Sequence, residues 1–175
     1  MADDQNPRGL YFLADLANAV RAGSGDEDVR RILREHRAPE RYRTAEPAEI
    51  RPAAARIADI LELTDPDDAA REINALLADY PARPLLVQFP GRPWSMHSRP
   101  PEDADPEYWL LAKAALALGL WLSDRGRCAW GRCAATDCGR FFIDTGRRQP
   151  QKYCGTTCAT RTRVAAHRQR SGRMD

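Results

Sequence analysis

Four of the five cysteines in this 175-residue chain, Cys133, Cys138, Cys154 and Cys158, stand in one short basic segment, "CAATDCGRFFIDTGRRQPQKYCGTTC". Their spacing is C-x4-C, a fifteen-residue loop, then C-x3-C. Two close pairs joined by a short loop are what a tetrahedral metal site requires: each pair offers two thiolates from a tight turn, and the loop closes the coordination sphere. Zinc is the ion this spacing favours. An iron–sulfur cluster stays open, because thiolates alone do not select the metal. Cys128, in "CAWGRC", forms a second C-x4-C and is an alternative ligand to Cys133, although its place at the end of a long apolar stretch suits a core residue better. A disulfide framework is disfavoured in a reducing compartment. Phe141, Phe142, Ile143 and Tyr153 are too few to build a core by themselves, so metal binding and folding should be coupled here.

The same segment carries the second kind of chemistry, positive charge. The net charge of +2 conceals about −7 over residues 1–124 and about +9 over 125–175. A basic end behind an acidic body is the distribution expected of a chain that meets a polyanion at one end. On a helix, Arg163, His167 and Arg170 fall at i, i+4 and i+7, and Arg161 and Arg168 form a neighbouring stripe. With Arg147, Arg148 and Lys152 before them, they make a two-sided surface able to meet several phosphates of duplex DNA.

The elements that must position these groups are mostly helical. "LYFLADLANAVRAG" places Leu10, Leu13, Leu16 or Ala17, and Val20 at helical spacing, and "DEDVRRILREH" opens on three acids with Val29, Ile32 and Leu33 as its stripe. In "PAEIRPAAARIADILEL", Ile50, Ile57, Ile60 and Leu61 share a face, with Pro52 acceptable in a first turn. "DPDDAAREINALLADY" has Asp65 as N-cap and Pro66 at the first helical position, with Ile73, Leu76 and Leu77 turned inward. Leu85–Phe89 and Trp94–Ser98 flank Pro-Gly-Arg-Pro and predict a β-hairpin. A helix from about Pro106 to Ser123, apolar nearly all round, is the expected spine of the core. Beyond it, "RFFID" predicts a strand, "TGRRQPQKY" a turn and return strand, and "TTCATRTRVAAHRQR" a helix that begins at the last cysteine pair.

The fold class expected is therefore α+β, mostly α. A helical domain over 1–124, with a hairpin near 84–98, precedes a treble-clef-like finger with a basic helix over 125–175. That finger resembles the CGNR zinc finger, in C-x4-C, "FFID" with Asp144, the Arg147-Arg148 pair, Tyr153-Cys154 and the helix from Cys158. The name-giving tetrad reads Cys158-Ala159-Thr160-Arg161 here, keeping its first and last members. Upstream, "DLANAV" with Asp15 and Asn18, "EINALLADY" and "YWLLAKAALALGLWL" are similar to the ABATE domain that usually precedes that finger. The resemblance implies a zinc-containing, stress-related transcription regulator that binds DNA.

Other classes find less support in the residues. No nucleotide-binding loop and no Ser-His-Asp or Cys-His arrangement is present, and a four-thiolate zinc site has no open position for water, so no enzyme is expected. A zinc-stabilised protein-interaction module, or a ligand-sensing regulator without direct DNA binding, is the alternative. Trp94, His97, Trp109 and Trp121 could line the pocket of such a sensor. The helical domain also leaves room for a homodimer interface and for a small-molecule or protein signal. "MADDQNPRG" has neither the basic nor the apolar region of a secretory signal. The longest apolar stretch, Tyr108–Leu122, contains Lys113 and is shorter than the roughly twenty residues a bilayer demands. A cytoplasmic protein with no membrane partner is expected.

Overall fold

The computed structural model describes residues 7–88, 90–91, 93–146 and 149–171, with only the backbone described at 167 and 169–171. Helix α1 (Arg8–Arg21) buries Leu10, Leu13, Leu16 and Ala17, as their spacing dictates. Helix α2 (Asp26–Glu35) carries Asp26, Glu27 and Asp28 in its first turn, where acids favour the positive end of the helix dipole, and buries Val29, Ile32 and Leu33. A one-turn helix α3 (Glu40–Arg43) follows and inserts Tyr42 into the core, stacked on Trp109 at 4.3 Å between ring centroids.

Helix α4 (Pro47–Glu62) starts earlier than predicted, so Pro52 sits at its sixth position and not in its first turn. The ring removes the amide that would bond to the Ala48 carbonyl, a defect worth about 3 kcal/mol in a helix interior. Burial of Ile50, Ile57 and Leu61, at about 1.5–3 kcal/mol for each side chain, exceeds that cost. The early start is held at Glu46, whose amide donates to the Glu49 carboxylate at 3.0 Å.

Helix α5 (Pro66–Asp79) begins as its sequence dictates: Asp65 Oδ1 accepts the amides of Asp67 at 2.9 Å and Asp68 at 3.1 Å. Its inward stripe is Ala69, Ile73 and Leu76. Leu77, expected inside, is 46% exposed, since it lies past the edge of that stripe, about 100° round from Leu76 and about 40° beyond Ile73.

Strands β1 (Arg83–Gln88) and β2 (Trp94–Arg99) form the predicted hairpin, with Leu86 opposite Met96 and Gln88 opposite Trp94. Phe89, expected in the first strand, lies outside the described residues. Helix α6 (Pro106–Arg125) is the spine: Asp105 caps it, Gly126 ends it with φ +62°, and α1, α4, α5 and β2 pack around it. No helix among the described residues is long and apolar enough to cross a membrane.

The last three elements are β3 (Trp130–Arg132), β4 (Phe141–Ile143) and α7 (Thr156–Ser171). The strand partner of "FFI" is a correction. It pairs antiparallel with Trp130–Arg132, ahead of the first cysteine pair, and no strand forms over the described part of "TGRRQPQKY". The reason is burial: Trp130, Phe141 and Ile143 all enter the helical core, which exposed Gln149, Gln151 and Lys152 could not do. The architecture is thus mostly helical, with two small hairpins and one cysteine cluster.

Candidate metal centre

The β3–β4 hairpin is seated on the helical body through three polar fixtures. Asn18 of α1 clamps β4, its side-chain amide donating to the Phe141 carbonyl at 3.0 Å and its oxygen accepting the Phe141 amide at 2.7 Å. That carboxamide acts as the missing neighbouring strand. Trp130 donates its indole N–H to the Leu63 carbonyl at 3.2 Å, and Trp121 donates to the Ala129 carbonyl at 3.0 Å. At the far end of β4, buried Asp144 accepts from Arg127 at 2.7 Å and from the Gly146 amide at 2.8 Å. A Cβ on Gly146 would meet the Gln149 carbonyl at 2.5 Å, so this turn tolerates only glycine.

The turn between β3 and β4 is the first cysteine knuckle. The Cys133 amide bonds the Arg140 carbonyl at 2.8 Å, the Cys138 amide bonds the Ala135 carbonyl at 3.1 Å, and Gly139 leaves the turn at φ +61°. The second pair lies where α7 begins, Cys154 just before it and Cys158 in its first turn. It is brought across by the Ala134 amide, which bonds the Lys152 carbonyl at 2.8 Å, and by the Cys154 amide, which donates to Cys133 Sγ at 3.4 Å. Phe142, Ala135 and Tyr153 pack beneath the sulfurs as a small separate cluster.

All four sulfurs lie within 4.8 Å of one another, with Cys138–Cys154 at 3.6 Å and Cys154–Cys158 at 3.7 Å. Four sulfurs at about 2.3 Å from one ion, at tetrahedral corners, stand about 3.8 Å apart. These cysteines therefore fit a single metal ion, and the space among them is too small for a cluster of several irons. Cys128 is not among them. It packs half-buried against the main core, and burial, helped by the Asp65 charge, raises its pKa.

Without the ion the thiols are unequal. Burial disfavours the Cys133 thiolate, but amides of Cys154 and Ala135 and the neighbouring thiols outweigh it, and its pKa falls to about 7. Cys154 is pushed up to about 12, by burial first and then by its contacts with the other three sulfurs. Cys158 is raised as well: its contact with Cys154 works the other way, but burial and the remaining sulfurs prevail. One thiolate therefore forms readily beside partners that hold their protons, and a bound cation would displace those protons. Arg161 reaches toward Cys158 Sγ at 3.9 Å and offsets part of the negative charge of a thiolate centre.

The basic residues divide. Lys152, Arg161, Arg163 and Arg168 are exposed, the last three on α7. The α7 backbone continues through positions 167 and 170, while Arg147, Arg148 and the side chains of His167 and Arg170 lie outside the described residues. The four aromatic candidates for a pocket do not converge. Trp109 and Trp121 are core, Trp94 is 64% exposed, and His97 is half-buried with its Nε2 3.0 Å from Ser95 Oγ. A depression of about 280 Å³ lies elsewhere, between α4 and α5, lined by Arg56, Asp59, Ile60, Leu63, Glu72 and Leu76.

The Asn18 clamp, the Asp144 turn and the Trp130 anchor escape reasoning from sequence spacing. The only local sign is the presence of Asn18 and Asp144 in motifs carried by the family resemblance.

A knuckle set on a hairpin, closed by two thiolates at the root of a helix, defines a metal-binding finger. Residues 130–171, from β3 through α7, match the model of the CGNR zinc finger family. No curated protein matches the chain.

Proposed function

We propose that the protein is a DNA-binding transcription regulator in which zinc, held by Cys133, Cys138, Cys154 and Cys158, fixes the root of α7 so that its arginines meet duplex phosphates. The observation that carries this reading is the pairing of charges. Most arginines of the body are engaged with their own acids, among them Arg21 with Asp59, Arg30 with Glu46, Arg31 with Asp28 and Glu35, and Arg51 with Asp26. Those of the hairpin follow suit, Arg127 with Asp144, Arg132 with Glu62 and Arg140 with Asp15. Among the described residues Arg161, Arg163 and Arg168 meet no carboxylate, and α7 contains no acidic residue. An unpaired cationic helix favours a polyanionic partner. Zinc suits the site as an ion at home among four thiolates in a closed tetrahedron, a structural arrangement with no position for substrate. The helical body, similar in its motifs to the ABATE domain, is the place for a signal or for self-association, and the setting is the cytoplasm.

The test is equilibrium binding to random-sequence and selected duplexes over a range of salt. Affinity should fall steeply with salt, and Arg163→Ala with Arg168→Ala should flatten log K against log[salt] by about one unit for each arginine. A salt-independent signal, or an unchanged slope in the double variant, would move the assignment to a protein-interaction module with an acidic partner.

A further inference from the structure

Helix α7 is attached to the rest of the molecule in an unusual way. Among the described residues no helix or strand packs extensively along it, whereas every other helix except the single turn α3 lies against two or more elements. Its described residues are exposed at Thr156, Thr157, Thr160, Arg161, Arg163, Val164, Ala165 and Arg168, which covers more than half of the circumference. Only Cys158, Ala159, Thr162 and Ala166 are half-covered. A helix whose one half-covered stripe is built of small side chains gains little from packing, and sixteen residues is near the limit at which even alanine-rich helices persist in water. Excess arginine adds like-charge repulsion along its length.

The backbone bonds that bring the second cysteine pair across end at Lys152 and Cys154. Beyond Cys154, Cys158 reaches back from α7, with its sulfur 3.7 Å from that of Cys154 and its half-buried side chain against the small cluster. By contrast β3–β4 needs no metal: Trp130, Phe141 and Ile143 belong to the main core, and the Asn18 clamp, the indole bonds and the Asp144 turn hold it independently.

We infer that the metal ion is a latch for α7 alone: with the ion bound, the arginine helix is nucleated and held in one direction, and without it the helix is released as an unfolded tail while the body and the first knuckle stay folded. The ion bridges a fixed half, Cys133 and Cys138, to a movable half, Cys154 and Cys158. Four thiolates around one divalent ion leave net negative charge at the first turn of α7, where the helix dipole favours it. This latch rests on the four-thiolate metal reading. It makes presentation of the basic surface depend on metal supply or thiol state, without asking the body to unfold.

Limited trypsin digestion of the full-length protein tests it, with cut sites assigned by mass spectrometry, before and after metal removal by a chelator. A parallel melting curve follows the body. With metal removed, cleavage after Arg161, Arg163 and Arg168 should accelerate at least about tenfold, while sites between residues 8 and 132 keep their protection and the body keeps its cooperative transition. Cys158→Ser should reproduce that pattern without chelator. Equal cleavage of α7 in both states would overturn the latch, and so would loss of the body's transition on metal removal. Untreated protein with no bound metal would overturn the metal reading itself. Release of α7 in a protein that never binds DNA would leave the latch standing and overturn only the function proposed above.

Discussion

The helical body and the arm beyond Cys154 are held by different physics. In the body, about thirty apolar side chains are buried in one continuous cluster that takes in β3 and β4, and most arginines are neutralised by neighbouring acids. In the arm, almost nothing is buried, the described arginines face water, and four sulfurs replace a core. A metal ion among those sulfurs would fix direction where too little apolar surface exists to do so, and would leave the cationic side chains free.

The largest effect expected from breaking this contrast is on the metal side. Cys154→Ser removes the sulfur that touches both Cys138 and Cys158. Structural four-thiolate sites hold zinc with an apparent free energy of about 10–16 kcal/mol near neutral pH. The variant should lose stoichiometric zinc in metal analysis and the α7 contribution to helical circular dichroism, while the melting of the body persists. In the wild type, the sign with pH follows from the thiols. Cys154, with a pKa of about 12, and Cys158, also raised, hold protons at neutrality that the ion must displace. Lowering pH therefore weakens binding, by about tenfold per unit for each proton the ion displaces. Competition with a chromogenic chelator between pH 8 and 6 measures it, and a flat profile would argue against these thiols as ligands.

On the body side, Ile57→Ala opens a cavity at a fully buried position of α4 and should cost about 2–5 kcal/mol in denaturant unfolding. Zinc content of the folded fraction should stay at the wild-type value. If the site emptied in proportion, body and arm would be one cooperative unit. Asn18→Ala sits on the seam between them. It leaves the Phe141 amide and carbonyl without their partner, at about 1–3 kcal/mol, and amide exchange at Phe141 should quicken before exchange elsewhere in β3 and β4 does.

Much of this architecture is readable from local pattern. Cysteine spacing picks out the ligand group, the Asp65-Pro66 pair marks a helix start, and Pro-Gly-Arg-Pro marks the turn of the first hairpin. What escapes is non-local or very short. Three-residue strands carry no readable period, so the choice of Trp130–Arg132 as the partner of β4 depends on core residues contributed by α1 and α4. The Asn18–Phe141 clamp joins positions 123 residues apart, and no spacing rule reaches that far. Leu77 and Pro52 differ from expectation because packing of Ile73, Leu76, Ile50 and Ile57 decides the helix rotation and start, while a pattern supplies only candidates. The arm is the most legible region, since its structure depends on few partners.

The smallest effect expected concerns a cation on the body side. Lys113 of α6 is covered where β2 packs, forms no ion pair among the described residues, and its pKa is lowered by burial; its charge in turn helps to lower that of His97 on β2, after burial. Unlike the arginines of the arm, it is half-buried against protein, so its charge is a cost without a use in binding. Because the folded-state pKa lies below the unfolded value of 10.5, the unfolded chain binds the extra proton between those two values, and body stability should rise with pH across that window. Lys113→Met keeps the aliphatic stem and removes the charge. It should raise the melting temperature at neutral pH by about 2–4 °C, the shift that 1 kcal/mol produces in a domain of this size, and flatten the rise with pH below 10.5. DNA affinity and zinc content should not move. A variant that melts lower would instead show that the ammonium is engaged in the folded state, and the body too would then hold a cation for a purpose.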